Sequence, residues 1–180
     1  MKTASPSRFL VVGTSGSGKT TCARAIAKKL NIPHVEVDAY FHMEGWAPAN
    51  PASFKSNVLQ HTSGKCWVVD GNYITVQNLI LPRVDIVVWL DLPLSIILYR
   101  LLNRTIRRIF SGEELWNGNK ETWSGLFARD NVVSWAMRRH GINRGRYRRI
   151  ISLPEYSHLT LVRLRTAEEV KNWLGNLDTS

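Results

Sequence analysis

The stretch FLVVGTSGSGKTTCARAIAKKL, residues 9–30, decides the fold. It matches the pattern G-x-x-x-x-G-K-[ST], in which glycines let successive backbone N–H groups form a nest for a polyphosphate. Lys19 is then placed to reach the β- and γ-phosphates, and the hydroxyl of Thr20 to bind Mg²⁺. The predicted nucleotide-binding residues of this loop are Gly13, Thr14, Ser15, Gly16, Ser17, Gly18, Lys19, Thr20 and Thr21.

The residues around the loop have the order that the pattern requires. The apolar run at 9–12 is typical of a strand, and Cys22, Ile26 and Leu30 recur every four residues, which gives a helix one buried stripe. The N–H groups that open such a helix also point at the anion. A linker rich in glycine and serine, the alternative interpretation, has no reason to show this succession of strand, loop and helix.

Length and composition limit what the chain can be. With 180 residues, 44% of them hydrophobic, we expect one domain over residues 1–180. The apolar runs are too short for a membrane span, and the first residues lack the apolar core of a secretory signal, so we expect a cytoplasmic protein with no membrane partner. Cys22 and Cys66 are interpreted as buried hydrophobic side chains in a reducing compartment.

Hydrophobic patterning predicts that strands alternate with helices. After the first strand, further strands are predicted at 34–38, 66–70, 84–91 and 158–164, and further helices from Pro51, from Pro93 and at 167–174. This alternation predicts a parallel sheet that binds its ligand at the carboxyl ends of the strands. Asp38, Asp70 and Asp91 end three of these strands, although Asp91, just before a proline, is interpreted as an ordinary helix cap.

Two of these carboxylates are candidates for chemistry. Asp70, followed by Gly71, is placed to hold Mg²⁺ beside the phosphate loop, so that Thr20 and Asp70 are the predicted metal ligands; a turn residue is the alternative. Asp38 is placed to orient or deprotonate an acceptor hydroxyl, with a loop cap as the alternative. The aromatic residues that follow Asp38 are predicted either to line an acceptor pocket or to belong to the core: Tyr40, Phe41 and Trp46.

The helix predicted after Pro93 carries a row of arginines. Arg100, Arg104, Arg107 and Arg108 are predicted along one face and Ile97, Leu98, Leu101 and Leu102 along the other. An arginine row that faces a cleft can clamp phosphates, a role assigned here to Arg104, and a solvated helix face is the alternative. Residues 111–131, with turn residues and two tryptophans, are predicted to form a lid that excludes water, or else an ordinary helical hairpin.

These motifs resemble those of the P-loop nucleoside and nucleotide kinases. The resemblance rests on the GTSGSGKT loop, the acidic residue after the second strand, D-G after the third, and L-D-L-P followed by R-x-x-x-R. Within that family the sequence is similar to the adenylate-kinase-related group that includes the DNA topology modulation proteins. The resemblance implies a three-layer α/β sandwich around a five-stranded parallel sheet of order 2-3-1-4-5, with ATP and Mg²⁺ as cofactors. It also implies an arginine-bearing helical lid, inserted at roughly 104–131, with Arg100 and Arg165 near the adenine base and Arg104 near the phosphates.

One difference from adenylate kinases concerns the acceptor. Those enzymes follow the strand-three aspartate with G-F-P-R, whose arginine grips the acceptor monophosphate, whereas Asp70 is followed by G-N-Y. Adenylate kinases also lack an acid at the position of Asp38. In having an aspartate there, this sequence is similar to kinases that phosphorylate hydroxyls of small metabolites. The predicted activity is therefore ATP- and Mg-dependent phosphoryl transfer to a small-molecule acceptor, with an unusual nucleotide as the alternative acceptor. The predicted catalytic residues are Lys19, Asp38 and Arg104.

The basic charge leaves a second function open. The net charge of +10 is concentrated between Arg100 and Arg149 and fits nucleic acid as well as nucleotide phosphates. In residues 138–149, Tyr147 is a candidate stacking ring for a basic protein that acts on nucleic acid with ATP as a switch, and a solvated helix end is the third interpretation. The arginines of this segment are Arg138, Arg139, Arg144, Arg146, Arg148 and Arg149. The identity of the acceptor and the oligomeric state are not predicted.

Overall fold

A computed structural model describes residues 8–177 and contains one sheet of five parallel strands. The strands are β1 (Arg8–Gly13), β2 (His34–Glu36), β3 (Trp67–Asp70), β4 (Ile86–Leu90) and β5 (Thr160–Leu164). Their order is β2-β3-β1-β4-β5, so the predicted topology is confirmed. Part of the N-terminal stretch that was considered for a secretory signal lies outside the described residues.

Helices connect the strands and cover both faces of the sheet. They are α1 (Lys19–Leu30), α2 (Val37–Phe41), α3 (Pro51–His61), α4 (Ile74–Ile80), α5 (Leu94–Ser111), α6 (Trp123–Phe127), α7 (Val132–Ile151) and α8 (Ala167–Gly175). The helix predicted from Pro51 begins there because the side chain of Asn50 accepts hydrogen bonds from the N–H groups of Ala52 and Ser53. No helix in the described range is both long and apolar enough to cross a bilayer.

The core has two halves, one on each face of the sheet. Alternate residues of β1 divide between them: Leu10 and Val12 pack with α3, α4 and Tyr147 of α7, whereas Phe9 and Val11 pack with α1 and α8. Burial on both faces explains why the three central strands, β1, β3 and β4, are mostly runs of consecutive apolar residues rather than alternating. The predicted three-layer α/β sandwich is therefore confirmed.

The second strand is shorter than predicted. It ends at Glu36, and Asp38 lies in the first turn of α2 rather than at the end of a strand. The reason is visible in the burial of the next residues, since Val37 is buried and Tyr40 and Phe41 are partly buried against the same half of the core. That spacing of three and four is helical, and the prediction overlooked it.

The arginines of α5 do not all lie on one face. Its buried residues are Ile97, Leu101 and Thr105, and Arg104 and Arg108 lie beside this stripe at the same helical spacing, with side chains only 35% and 16% exposed. Leu102, which was predicted on the apolar face, is 42% exposed. The predicted division into an arginine face and an apolar face is therefore wrong. Arg104 and Arg108 point into the molecule, whereas Arg100 and Arg107 are exposed.

Asp91 is a buried ion-pair partner and not a helix cap. Its fully buried carboxylate lies 2.7 Å from Nε of Arg144 and also pairs with Arg163, while the cap position of α5 is Pro93, with no side-chain hydrogen bond. A carboxylate in the interior requires such partners because unpaired burial of a charge is costly. The interpretation as an ordinary cap was wrong because both partners lie far along the chain, on α7 and β5.

The two cysteines are free thiols in different surroundings. Cys22 is buried as predicted, and burial raises the pKa of its thiol to about 12, with the nearby charge of Asp70 acting in the same direction. Cys66 is only partly buried, so the prediction of a buried side chain is wrong there. It directly precedes β3, where the chain has not yet entered the core.

Asp91→Asn should destabilise the fold, because it removes the charge that two arginines share. Since those arginine side chains are 41% and 23% exposed and recover some hydration, we expect a loss of about 2–3 kcal/mol in the free energy of unfolding. Asp130→Asn breaks the exposed pair of Asp130 with Arg138 and should cost roughly 0–1 kcal/mol. Urea unfolding of both variants measures the difference, and equal midpoints would show that the Asp91 pairs do not stabilise the protein.

Candidate active site

The phosphate loop lies between β1 and α1 and is shaped by its own backbone. The N–H of Ser17 donates to the carbonyl of Thr14, and Gly18, at the cap position of α1, has no side chain that could satisfy the first N–H groups of the helix. Those N–H groups stay available to an anion. The hydroxyl of Ser17 is buried without a hydrogen-bond partner among the described residues, which also fits a polar ligand at this loop.

The predicted catalytic residues Asp38 and Arg104 both influence the pKa of Lys19 through their charges. Burial lowers the pKa of its ammonium, the charges of Asp38 and Asp70 oppose that shift, and Arg104 adds to it. The ammonium also lies 3.4 Å from the carbonyl oxygen of Thr14, to which it donates. Two carboxylates and two cations therefore converge on the cleft at the carboxyl ends of the strands.

The two predicted metal ligands are in direct contact. The hydroxyl of Thr20 donates to Oδ2 of Asp70 at 2.6 Å, and the buried carboxylate has its other oxygen 3.1 Å from Nε2 of His34. A hydroxyl and a carboxylate side by side next to a phosphate loop are oxygen donors of the kind that Mg²⁺ prefers, so these residues fit the ion. His34 was not predicted. Its signal was its position in β2, which pairs with β3.

Asp38 contacts Tyr73, which lies in the connection after β3. The hydroxyl of Tyr73 donates to Oδ1 of Asp38 at 2.8 Å, and the ring of Tyr73 packs 4.4 Å from that of Phe41. Of the aromatic residues predicted as pocket wall or core, Tyr40 and Phe41 pack against the core, whereas Trp46 is 39% exposed. Although it does not end a strand, Asp38 lies near enough to Lys19 and Arg104 for its charge to oppose the lowering of the pKa of both.

Arg104 is held beside the lid segment, residues 111–131. Its guanidinium lies 3.9 Å from the carboxylate of Glu121, which Arg108 also contacts at 3.4 Å. Burial and then the charge of Arg108 lower the pKa of Arg104, while Glu121 and Asp38 oppose the shift. Nε of Arg104 is buried and has no hydrogen-bond partner among residues 8–177, so one donor of the guanidinium is left for a ligand.

The two residues predicted near the adenine base are not connected to the phosphate loop. Arg100 and Arg165 are exposed, and within the described range neither side chain makes a hydrogen bond or an ion pair. The backbone N–H of Arg165 donates to the carboxylate of Glu169, which fixes the start of α8. Their contact with a base stays a prediction.

Comparison with known proteins agrees with this fold. A profile of the ATPase family associated with various cellular activities (AAA) matches residues 9–66, which contain the phosphate loop. No curated protein sequence matches significantly. The shikimate kinase from Acinetobacter baumannii, solved in complex with shikimate, has a similar structure: the TM-score is 0.58 at 19% identity, over 97% of this chain and 91% of that one. The chain has the P-loop kinase fold.

Two further solved structures extend that comparison. A shikimate kinase from Bacteroides thetaiotaomicron gives a TM-score of 0.53 at 15% identity, over 95% of this chain and 96% of that one. A gluconokinase from Sinorhizobium meliloti 1021 gives 0.53 at 18% identity, over 96% of this chain and 94% of that one. In all three cases the likeness extends over nearly the whole of both chains.

In this P-loop kinase fold, residues of α7 contact the phosphate loop directly and through Asn72. Asn72 exchanges hydrogen bonds with the backbone of Gly13, and the hydroxyl of Tyr147 donates to Oδ1 of Asn72 at 2.7 Å. Nδ1 of His140 lies 3.0 Å from the hydroxyl of Thr14. The sequence analysis missed His140 and Asn72, and the available signal was the spacing of 140, 144 and 147, which is one face of a helix.

The basic segment 138–149 is only in part a free surface. Tyr147 is 4% exposed and hydrogen-bonded, so its predicted role as a stacking ring is wrong. Arg144 is bound to Asp91, whereas Arg148 and Arg149 are exposed. The hypothesis that this segment binds nucleic acid stays a prediction for the exposed arginines alone.

Gly16→Ala should lower stability more than Gly18→Ala. Both glycines have positive φ angles, 87° and 95°, but a Cβ on Gly16 would lie 2.9 Å from the carbonyl oxygen of Ile97, whereas a Cβ on Gly18 meets nothing within 4 Å. The two variants share the backbone strain, so their difference isolates the crowding against α5, which we expect to cost about 1–3 kcal/mol. Thermal unfolding of both measures it, and equal melting temperatures would contradict the contact.

Proposed function

We propose that the protein is an ATP-dependent phosphotransferase that transfers the γ-phosphoryl group of Mg-ATP to a hydroxyl of a small-molecule acceptor. The observation that carries this proposal is the presence of Asp38 in the same cleft as the lysine of the phosphate loop and Arg104. A carboxylate beside these cations is suited to an acceptor that must lose a proton. The solved structures with the same fold include kinases named for small molecules, shikimate kinase and gluconokinase.

On the nucleotide side, the loop of residues 13–21 would bind the triphosphate. Its backbone N–H groups and the first turn of α1 supply directed donors, and Lys19 supplies a positive charge on the β- and γ-phosphates. Thr20 and Asp70 would hold Mg²⁺, which neutralises charge between the phosphates when it is bound. Arg100 and Arg165 are proposed contacts of the adenine base at the cleft's exposed edge.

On the acceptor side, Asp38 would accept the proton of the attacking hydroxyl or orient that hydroxyl. A monophosphate acceptor chiefly needs positive charge, whereas a hydroxyl needs a base, and residues 71–73 bring a tyrosine to Asp38 instead of an arginine. Arg104 would stabilise the charge on the transferring phosphoryl group through its guanidinium, whose Nε has no hydrogen-bond partner among the described residues. The lid segment would keep water away from that group.

The nucleotide half of the proposal predicts that Lys19→Ala abolishes phosphoryl transfer and leaves the fold intact. The substitution removes a charge from the cleft and little volume from the core. Lys28→Ala, on the exposed side of the same helix, should match the wild type. Transfer is measured by ADP release across nucleosides, monophosphates, sugars and sugar acids. A wild type that shows no calorimetric affinity for ATP or ADP at millimolar Mg²⁺ would rule the proposal out.

The acceptor half predicts that Asp38→Asn lowers kcat by on the order of 10²–10⁴, the range for a positioned general base. The amide keeps the size of the side chain and its hydrogen bond from Tyr73, so ATP affinity should scarcely change. Glu44→Gln, an exposed neutral replacement a short distance along the chain, is the control. Full turnover by Asp38→Asn with the best acceptor would remove Asp38 from the reaction.

A further inference from the structure

Tyr73 presents a fixed donor to Asp38. Its ring packs against those of Phe41 and Phe54, with ring centroids 4.4 and 5.3 Å away, and its hydroxyl donates to Oδ1 of Asp38 at 2.8 Å. Burial, followed by the charge of Asp38, raises the pKa of Tyr73, so the phenol keeps its proton at any ordinary pH. The hydrogen bond therefore always runs from Tyr73 to the carboxylate. Among the described residues, none donates a hydrogen bond to the other carboxylate oxygen, Oδ2, which leaves it for an acceptor hydroxyl.

His42 lies behind this hydrogen bond. Its Nε2 is 3.3 Å from the hydroxyl oxygen of Tyr73, whose only proton is directed at Asp38. The tyrosine oxygen can therefore only accept from His42, which places the imidazole proton on Nε2. Burial lowers the pKa of His42, so the ring is neutral near pH 7. The three side chains form one directed chain, in which each hydrogen bond polarises the next.

The ring of His42 is in turn held by the lid segment. Trp116 stacks on it with ring centroids 5.6 Å apart and planes 21° apart, and Trp46 meets it edge-on at 5.3 Å. The turn at residues 116–119, here called the lid turn, is thus in contact with residues 42–46, here called the acceptor loop. The residue that supports Tyr73 has its orientation set by a ring of the lid turn.

Side-chain amides fix the backbone of the acceptor loop to the lid turn. Asn117 donates to the carbonyl of His42 at 2.6 Å, and Asn119 donates to the carbonyl of Met43 at 2.8 Å. Asn119 also accepts from the N–H of Trp46 at 2.9 Å and is itself buried. All three hydrogen bonds reach backbone groups of the acceptor loop, so they depend on the docking of the lid turn rather than on particular side chains of that loop.

Both partners of this contact hold a non-glycine residue in the left-handed backbone region. Trp46 has a φ of 61° and Asn117 a φ of 56°. Such conformations are unfavourable for residues with a Cβ and persist where surrounding contacts impose them. Here the imposing contacts are those between the two segments, so the contact is a docked state with stored strain.

From these contacts we propose that Tyr73 and His42 are positioning residues for Asp38, and that docking of the lid turn completes the arrangement by fixing His42. The inference rests on the proposed function, since it assigns to Asp38 the acceptor hydroxyl. With the lid turn undocked, His42 loses its stacking partner and Tyr73 loses its support. Asp38 then faces the acceptor without a fixed orientation, so that transfer is fast only when water is excluded.

Tyr73→Phe tests the first link, because it keeps the ring packing and removes only the donor. With the best acceptor of the wild type, kcat should fall roughly 10- to 100-fold, the range for one hydrogen bond to a charged group, while ATP affinity and melting temperature stay near the wild-type values. Tyr99→Phe, on the exposed side of α5, is the matched control and should behave as the wild type. Wild-type kcat in Tyr73→Phe would overturn the inference.

His42→Gln and His42→Leu test the second link. The glutamine amide supplies an N–H near the position of Nε2, whereas leucine fills similar space without a donor. We expect His42→Gln to keep most of the wild-type kcat and His42→Leu to lose about as much as Tyr73→Phe. A loss of kcat that is equal in the two variants would show that the N–H has no role and would overturn the positioning by His42.

Asn119→Ala tests the lid link by a measurement that needs no acceptor. In complex with a non-hydrolysable ATP analogue and Mg²⁺, amides of residues 42–46 should exchange with deuterium faster in Asn119→Ala than in the wild type, and Asn103→Ala, an exposed asparagine of α5, should show no change. Unchanged exchange would overturn the coupling. A wild type that phosphorylates no acceptor would instead remove the proposed function, a result that is distinct from each of these.

Discussion

The hydrogen bonds and the ion pair between α7 and the ends of the strands are the constraint on which the rest of the site depends. His140, Arg144 and Tyr147 follow one another on one face of α7 and reach the connections after β1, β4 and β3, respectively. Two of these strand ends are also linked directly, since Asn72, after β3, exchanges hydrogen bonds with the backbone of Gly13 at the end of β1. Because α7 contacts all three connections, it fixes their positions relative to one another. The phosphate loop, Asn72 and Asp91 are therefore positioned by the same rigid element.

The features predicted correctly from the residues are those that depend on amino acids close together in the sequence. The phosphate loop needs particular backbone conformations and a strand and helix on either side, so its residues could be read from a short window, and the alternation of elements was enough for a parallel sheet. The order of the strands came from the resemblance to a known family. Two of the wrong predictions depended on partners distant in sequence: Asp91 with Arg144 and Arg163, and Tyr147 with Asn72. A pattern of one segment contains no information on such partners.

Although the chain has a large positive net charge, several arginines in and near the site are paired with carboxylates. Glu121 lies between Arg104 and Arg108, and Asp91 lies between Arg144 and Arg163. Glu113 also lies 3.5 Å from Arg108, so the first group contains two carboxylates and two guanidiniums. In the second group Asp91 alone pairs with two guanidiniums, so one positive charge remains in excess there. A cleft built in this way attracts anions without leaving bare charges in its interior. The composition predicted an anionic ligand but could not show which arginines are paired with carboxylates within the protein.

Gly16 of the phosphate loop lies in close contact with α5, the helix that leads into the lid segment. Gly16 lies against Ile97 and Leu101 near one end of α5, while the other end, at Ser111, leads into the lid segment. From Leu101 to Ser111 the helix extends about 15 Å, so a rotation of about 10° at the phosphate loop displaces the far end by roughly 2.5 Å. Because Gly16 has no side chain, the backbone of the phosphate loop contacts α5 directly, and any displacement of that backbone toward the helix would push on α5. The phosphate loop and the lid segment are thus connected through a single helix.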